Sequence, residues 1–323
     1  MLIDFVIFIG GIALVIKGAD YLVDGASDIA KRLKVSSLVI GLTVVAFGTS
    51  APELAVNIFS AIGGHTEIAL GNVNGSNIAN ILLILGAAGM VATIPIQSRT
   101  VIKEVPFMIL SGVVLVLLML DTVLEGAPAG MISRIDGLVL IAFFSIFIYY
   151  LFLSSKDVSG AKVEKAKRSF LAATGLSIFG IGGLLIGGQL TVSGASGLAL
   201  GFGVSETLIA VTIVALGTSL PELVTAVVAA RKGETDIAVG NIIGSVVFNI
   251  LLILGATAVI TPIAVLSVNI VDALVSLGAM LLLLAAIFIR SDSRDGMRSI
   301  YKTESVIFLI LYAAYIVYAV MRG

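Results

Sequence analysis

The feature that most limits how this chain can fold is a series of long apolar runs. The ten runs lie at 2–22, 36–62, 68–92, 101–120, 135–153, 170–190, 205–230, 236–260, 266–289 and 304–321. A helix of about 20 apolar residues crosses the hydrocarbon core of a bilayer. Because the runs are continuous and do not alternate with polar residues, they predict helices and not strands of a β-barrel. We therefore expect an all-α membrane protein with ten transmembrane helices.

Composition narrows the function classes further. Only 12% of the 323 residues are charged, about half of the fraction typical of a soluble domain. The chain has no Cys and a single His, His65, which excludes disulfides, thiolate metal sites and multi-histidine metal sites. A net charge of −1 argues against a nucleic-acid partner. No Ser–His pair lies within the runs, so we expect neither an enzyme nor a bound cofactor, and the lipid bilayer is the expected partner.

The distribution of Lys and Arg predicts the orientation. One alternating set of connections contains Lys31, Arg32, Lys34, Arg99, Lys103, Lys156, Lys162, Lys165, Lys167, Arg168, Arg231, Lys232, Arg290, Arg294, Arg298 and Lys302, and the opposite set contains Arg134 and Arg322. Positive charge collects in cytoplasmic loops. We expect an inner-membrane protein with both termini outside and a cytoplasmic linker at 154–169. Met1 to Asp4 contain no basic residue, so the first run is expected to be a span and not a signal peptide.

The chain contains an internal repeat. Residues 23–86 align without a gap with residues 192–255, at a constant offset of 169, and the run 81–86 recurs unchanged at 250–255. The repeat predicts two five-helix halves, 1–153 and 170–323, joined by the linker. Because five is odd, the second half enters the membrane with opposite polarity. Such inverted repeats are typical of secondary transporters, whose substrate sites lie near the bilayer midplane.

Two equivalent segments interrupt the apolar runs. Residues 46–53 read AFGTSAPE and residues 215–222 read ALGTSLPE. Proline lacks an N–H and clashes with the preceding helical turn, so Pro52 and Pro221 predict a kink or break in each span. We expect backbone carbonyls near 46–49 and 215–218 to lose their helical partners, which is tolerated at this depth only beside protein or a polar cavity.

Carboxylates inside these runs indicate a functional site. Glu53 and Glu222 are the acidic residues placed well within predicted spans, and an ionisable residue within a membrane is expensive unless it has a function. Ser76 and Asn80 share one helix face in the third span, as do Ser245 and Asn249 in the eighth. Asn72 and Asn241 lie nearer the span ends, where helix packing alone explains an amide.

The donors in these segments are all oxygens. Carboxylate, hydroxyl, amide and carbonyl groups suit hard cations, and Ca²⁺ accepts about 6–8 oxygens in flexible geometry. Mg²⁺ demands a stricter octahedron, and Zn²⁺ or Cu⁺ would favour His or Cys. Na⁺ is close to Ca²⁺ in size and accepts the same oxygens.

These paired motifs resemble the alpha repeats of the sodium/calcium exchanger family, which belongs to the calcium/cation antiporter superfamily. The resemblance covers the whole chain and implies the exchanger fold, with the first and sixth spans as sliding gate helices. It also implies that Glu53 and Glu222 are shared by Ca²⁺ and Na⁺. The further positions that it implies are Thr49, Thr218, Asn80 and Asn249 for Ca²⁺, Ser50, Ser245 and the carbonyl of Ala46 for one Na⁺ site, and Ser219, Ser76 and the carbonyl of Ala215 for the other.

The counter-ion is the main open question. The resemblance implies a Ca²⁺/Na⁺ antiporter that extrudes Ca²⁺, but a Ca²⁺/H⁺ antiporter of the same superfamily would also use buried glutamates. The neighbouring hydroxyls at 49–50 and 218–219 favour Na⁺, because a proton needs no extra neutral ligands. Asn249 stands where the potassium-dependent branch carries Asp, which argues against K⁺ co-transport. A cation channel is a further alternative, although an inverted repeat favours alternating access.

Overall fold

The structure, a computed structural model, describes residues 1–124, 126, 129–155, 166–203, 215–289 and 298–322. Its helices are α1 Leu2–Leu33, α2 Ser37–Thr49, α3 Ala51–Ile62, α4 Ile68–Val91, α5 Ser98–Leu118, α6 Asp121–Leu124, α7 Arg134–Ser154, α8 Phe170–Gly201, α9 Ala215–Gly217, α10 Leu220–Arg231, α11 Thr235–Ile260, α12 Ser267–Ile289 and α13 Lys302–Arg322. The protein is therefore helical, as predicted.

The number of membrane-spanning helices can be compared with the prediction. Eight helices in the described part of the chain are long and apolar enough to cross a bilayer, and the bent pair α2 and α3 makes nine if it forms one span. The predicted span at 205–230 begins in residues 204–214, which lie outside the described residues, and continues as α9 and α10. An all-helical, multi-pass membrane protein is confirmed, and the count of ten stays a prediction.

Two helices form the centre of the molecule. Within their apolar windows, 72% of α4 and 83% of α11 is buried inside the protein, compared with 17% of α13 and 22% of α1. A helix that is apolar on every side must be surrounded by protein or by lipid. The buried fractions place α4 and α11 in the protein interior and leave much of α1 and α13 for lipid contact.

The long helices α1 and α8 pack closely along two glycine stripes. Gly11, Gly18 and Gly25 follow one another at seven-residue intervals on α1, and Gly180, Gly187 and Gly194 do so on α8. Seven residues are about two turns, so each stripe lies on one face, and residues without a side chain let backbones approach. An added Cβ at Gly11 would meet Thr191, whereas one at Gly25 would meet Ser177. Residues later in α1 therefore contact residues earlier in α8, so the two helices are antiparallel.

Charged residues join several connections at one end of the molecule. Arg168, before α8, pairs with Asp28 of α1 at 2.9 Å, and Lys232, after α10, pairs with Asp24 at 2.7 Å. Gln97 donates to Asp236 at 2.7 Å. Next to Gln97, strand β1 (Ile94–Ile96) pairs antiparallel with β4 (Arg298–Ile300).

Another group of connections lies at the opposite end of the molecule. Strand β2 (Gly130–Ile132) pairs antiparallel with β3 (Ile263–Val265). Arg134 donates to the carbonyl of Ile260 at 3.4 Å, and Thr261 donates to the carbonyl of Ala61 at 3.3 Å. The contacts thus sort the described connections into the same two groups as the distribution of basic residues. Which group faces the cytoplasm stays a prediction.

The glycine stripes generate a stability test. A Cβ at Gly180 would lie 2.5 Å from the backbone nitrogen of Leu22, whereas a Cβ at Gly182 would meet nothing within 4 Å. We expect Gly180→Val to lower the midpoint of thermal unfolding in detergent by several degrees, because overpacking costs about 1–3 kcal/mol. Gly182→Val is the matched control on the same helix. Equal midpoints for the two variants would contradict the packing described above.

Candidate cation site

The second predicted span is broken, as Pro52 indicated. Helix α2 ends at Thr49, α3 begins at Ala51, and their axes differ by 46°. Ser50 lies between them with φ −81° and ψ 9°, and Ser219 precedes α10 with φ −86° and ψ 1°. Each proline falls in the first turn of the following helix, where its missing N–H costs least. The two repeated motifs thus adopt the same local structure.

The backbone at the first break is less open than expected. The carbonyl of Ala46 still accepts the N–H of Ser50 at 2.9 Å and also the hydroxyl of Thr49 at 3.3 Å. The expectation that this carbonyl loses its helical partner is wrong, because Ser50, the residue that follows the last helical residue, still donates its N–H to Ala46. Helical bonding resumes with the N–H of Leu54 and the carbonyl of Ser50 at 3.1 Å. The carbonyls of Phe47, Gly48 and Thr49 lie in the stretch between these two bonds, where the helix bends.

Both glutamates are buried in the protein and do not face lipid. Glu53 and Glu222 are each 1% exposed and lie in the first turns of α3 and α10. The positive end of a helix dipole favours a carboxylate in the first turn. A chain of hydroxyls connects them, because Ser76 bonds Glu53 and lies 3.4 Å from Ser219, which precedes Glu222 by three residues. The breaks therefore bring the two predicted carboxylates into one site.

Two cross-repeat pairs of serines flank the glutamates. The hydroxyl of Ser50 donates its proton to Oε1 of Glu222 at 2.9 Å, and its oxygen lies 3.0 Å from the hydroxyl of Ser245, which donates to it. On the other side, Ser76 donates to Oε1 of Glu53 at 3.3 Å, and Ser219 donates to Ser76 at 3.4 Å. The structure thus brings together the two serine pairs that the resemblance implied, each beside one carboxylate.

The two threonines of the motif differ in their surroundings. Thr49 donates to Oδ1 of Asn241 at 3.0 Å, and Asn241 donates to the carbonyl of Glu222 at 3.4 Å. Thr218 Oγ1 is buried near the Glu53 carboxylate and makes no hydrogen bond of good geometry to a described residue. The two halves of the site are therefore related but not identical.

The central asparagines lie in unusual helix segments. Residues Ala79–Ile84 of α4 and Phe248–Leu254 of α11 are π-helical, a conformation that is rare and concentrates at functional sites. These segments contain Asn80 and Asn249, each 1% exposed. Asn249 donates to Oδ1 of Asn77 at 3.0 Å.

Several buried oxygens in this region accept no hydrogen bond from a described residue. They are Oε2 of Glu53, Oε2 of Glu222, Oδ1 of Asn80 and Oδ1 of Asn249. An unpaired buried acceptor costs about 1–3 kcal/mol, and a carboxylate costs more. A cation surrounded by these oxygens removes that cost, so the donor set fits a hard metal ion and supplies no thiolate or imidazole.

A cavity reaches this region from one side. It has a volume of about 520 Å³ and lies between α3, α8, α9 and α10. Pro52, Gly188, Thr218 and Pro221 are among its lining residues. Thr218, which lies beside Glu53, is therefore part of the wall of this cavity.

The sequence argument missed two polar residues of this region and took a third, Asn241, for a helix-packing residue. Asn57 accepts from Asn72 at 3.0 Å, Asn77 accepts from Asn249, and Asn241 accepts the hydroxyl of Thr49. Asn57 and Asn77 stand where the second repeat has Ala226 and Val246. A search for residues shared by both repeats passes over such positions. A polar residue within an apolar run nevertheless indicates a buried hydrogen bond or a binding site.

Comparison with known proteins places the chain in a family. The family model described as sodium/calcium exchanger protein matches residues 3–153 and 172–321. The chain belongs to the sodium/calcium exchanger family. This family consists of transporters, so the prediction that the chain is not an enzyme is confirmed.

Individual relatives of this exchanger cover most of its length. The sodium/calcium exchanger MaX1 of Methanosarcina acetivorans is 32% identical over 98% of both chains. The inner membrane protein YrbG of Escherichia coli is 37% identical over 81% of both chains. A solved structure of the sodium-calcium exchanger NCX_Mj soaked with Na⁺ and Ca²⁺ superposes with a TM-score of 0.78, at 30% identity over 98% of both chains.

The contact between Thr49 and Asn241 can be tested through stability. We expect Thr49→Val to lower the midpoint of thermal unfolding, because it removes the hydroxyl proton that Oδ1 of Asn241 accepts and leaves this buried amide oxygen unpaired at about 1–3 kcal/mol. Thr43→Val is the control, since Thr43 bonds only the carbonyl of Val39 in its own helix among described residues. A loss no larger than in the control would show that Thr49 does not join α2 to α11.

Proposed function

We propose that this exchanger is a secondary antiporter that moves Ca²⁺ in exchange for Na⁺ by alternating access. The observation that carries the proposal is a pair of carboxylates, Glu53 and Glu222, that are buried, flanked by serine hydroxyls and left with unpaired oxygens. Two ionised glutamates give the empty site two negative charges, which one Ca²⁺ neutralises. Because Na⁺ uses the same carboxylates, the two ions bind in turn and exchange is obligatory.

The ligands are assigned from the motif and the contacts. Glu53, Glu222 and the backbone carbonyls of Thr49 and Thr218 hold Ca²⁺, and Asn80 and Asn249 lie between the glutamates. The serine pairs define the flanking Na⁺ sites. Ser50 and Ser245 form one of these sites with the carbonyl of Ala46, and Ser76 and Ser219 form the other with the carbonyl of Ala215. The hydrogen bonds of the serines to the carboxylates support this division.

The proposed architecture is ten transmembrane helices in two inverted halves, 1–153 and 170–323, with a linker at 154–169. Residues 156–165 of that linker lie outside the described residues. The support for inversion is that α1 and α8, which occupy equivalent positions in the two halves, pack antiparallel. Equivalent breaks at Ser50 and Ser219 and equivalent π-helical segments add to it.

The proposed orientation has both termini outside the cell and the linker in the cytoplasm, in the inner membrane. The excess of basic residues on the linker side supports it, and so does the relative named as an inner membrane protein. In this orientation the cavity beside Thr218 opens toward the outside, where Na⁺ enters and Ca²⁺ leaves. Sliding of α1 and α8 over the rest of the protein would close it.

We propose Na⁺ and not H⁺ as the counter-ion. The hydroxyls of Ser50, Ser76, Ser219 and Ser245 line the carboxylates. Neutral oxygens of this kind complete the shell of a metal ion, whereas a protonated carboxyl group needs only one acceptor. The relative named as a sodium/calcium exchanger adds support.

The carboxylates are tested by charge removal. We expect Glu53→Gln and Glu222→Gln each to abolish Na⁺-dependent uptake of ⁴⁵Ca²⁺ into proteoliposomes, because a neutral amide cannot balance a divalent ion. Glu104→Gln is the control, since Glu104 is also buried, at 2% exposed, but bonds Tyr150 away from the site. Full uptake by either site variant would refute the assignment.

The counter-ion is tested with imposed gradients. We expect wild-type proteoliposomes loaded with Na⁺ to accumulate ⁴⁵Ca²⁺ when diluted into Na⁺-free buffer. A pH gradient of equal size without Na⁺ should drive no accumulation. Uptake driven by the pH gradient would identify a Ca²⁺/H⁺ antiporter instead.

A further inference from the structure

The charged residues at the end of the molecule where α8 begins make two kinds of contact. Asp28 of α1 pairs with Arg168 at 2.9 Å, which ties the start of α8 to α1. Lys232 belongs instead to the connection between α10 and α11. It pairs with Asp24 of α1 at 2.7 Å and with Asp20 at 3.2 Å. The first contact lies within the pair formed by α1 and α8, whereas the second joins this pair to the rest of the protein.

Glu234 adds a second contact between α1 and the same connection. Its Oε1 accepts the hydroxyl of Ser27 at 2.5 Å and lies 4.0 Å from the ammonium group of Lys31. The residues of α1 that make these contacts recur every three or four positions, so they share one face of the helix. We call the whole set the charged layer, and its members are Asp20, Asp24, Ser27, Lys31, Lys232 and Glu234.

The internal repeat shows what the equivalent region at the opposite end contains. The glycine stripes of α1 and α8 are related by the same offset of 169 as the rest of the repeat, so the two helices can be compared residue by residue. At the positions of Asp20 and Asp24, α8 carries Gln189 and Ser193. At the position of Lys232, the connection that follows α3 carries a glycine. The equivalent region therefore has neither the carboxylates nor the ammonium group that form the ion pairs of the charged layer.

The two equivalent regions also differ in how their helices pack. α1 packs against α10, the helix that precedes Lys232, whereas the equivalent helices α8 and α3 both line the cavity of about 520 Å³. Gln189 and Ser193 are among the residues of its wall. The end with ion pairs is thus closed, and the end without them is open. Because the halves of an inverted repeat are equivalent, the opposite access state exchanges these two arrangements. The contacts of the charged layer must then separate when the cavity closes.

We propose that the charged layer is a latch that favours the state with an open cavity and a closed opposite end, and that no equivalent ion pairs favour the reverse state. The proposal rests on the proposed alternating access and adds a bias to it. The side chains of Lys232 and Asp24 are 30% and 38% exposed, and ion pairs of this kind contribute little individually. The latch therefore shifts the balance between the two states and still opens in each transport cycle.

Introduced cysteines can report the two states, because the chain has no Cys. Val23 of α1 is fully buried between Asp20 and Ser27 in the sequence, and its equivalent in α8, Val192, lines the cavity. A water-soluble maleimide should modify Val192→Cys quickly and Val23→Cys slowly, since the second thiol is reached only when the latched end opens. The measurement uses purified protein in detergent, where both ends meet the reagent, so it does not depend on the orientation in the membrane.

Removal of the central lysine should open the latch. We expect Lys232→Ala to raise the rate of modification of Val23→Cys roughly three- to ten-fold, the effect of losing two partly exposed ion pairs, and not to raise the rate of Val192→Cys. Gln97→Ala is the control, because it removes a hydrogen bond to Asp236 at the same end of the molecule without touching α1 or α8. An unchanged rate in Lys232→Ala, or an equal rise in the control, overturns the proposal.

Ionic strength tests the latch without any change to its residues. Salt screens the attraction between partly exposed charges, so raising choline chloride from about 20 mM to about 500 mM should speed the modification of Val23→Cys. The same change should have a smaller effect once Lys232→Ala is added. A rate for Val23→Cys that does not depend on salt overturns the proposal, even if Lys232→Ala does not fold.

A latch built at the equivalent positions should act in the opposite direction. Ser193→Asp together with Gly63→Lys places opposite charges where Asp24 and Lys232 stand in the other half. The double variant should raise the rate of modification of Val23→Cys by more than the two single variants combined, because only the pair stabilises the state with a closed cavity. A double variant without this excess overturns the mirror relation on which the proposal depends. None of these measurements involves transport, and the exchange function fails separately if wild-type protein lacks Na⁺-driven Ca²⁺ transport.

Discussion

The structure depends on how two carboxylates are kept inside a membrane protein. Burial of a charge in a medium of low dielectric constant is unfavourable unless an opposite charge or hydrogen bonds compensate. Glu53 and Glu222 each receive one serine hydroxyl on one oxygen, while the second oxygen has no partner among described residues. A cation beside these oxygens would remove that cost, so in the proposed function the transported ions also stabilise the protein.

The helix breaks supply the geometry that this demand requires. A continuous helix would direct its carbonyls along the axis and its side chains outward. At Ser50 and Ser219 the chain instead ends one helix and begins another, so that a glutamate lies in the first helical turn after each break. The central helices α4 and α11, which are mostly buried, provide a rigid surface against which both breaks are fixed. The close glycine contacts between α1 and α8 hold these two long helices against each other.

Duplication gives the site its symmetry, and single substitutions modify it. The serine pairs are matched across the halves, but Asn57 and Asn77 have no polar counterpart at 226 and 246. Such positions make the surroundings of Glu53 and Glu222 different without altering the shared backbone.

The sequence alone determined the class of the protein, the positions of the broken spans and the two carboxylates, because apolar run length, proline chemistry and an intramembrane charge are local properties. It did not determine that the carbonyl of Ala46 keeps its hydrogen bonds, that Asn72 and Asn241 have different partners, or that Asn249 bonds Asn77. These features depend on which helix faces lie opposite one another, and residues up to 195 positions apart in the chain meet there. The repeat predicted equivalence, and only tertiary packing decided where the equivalence ends.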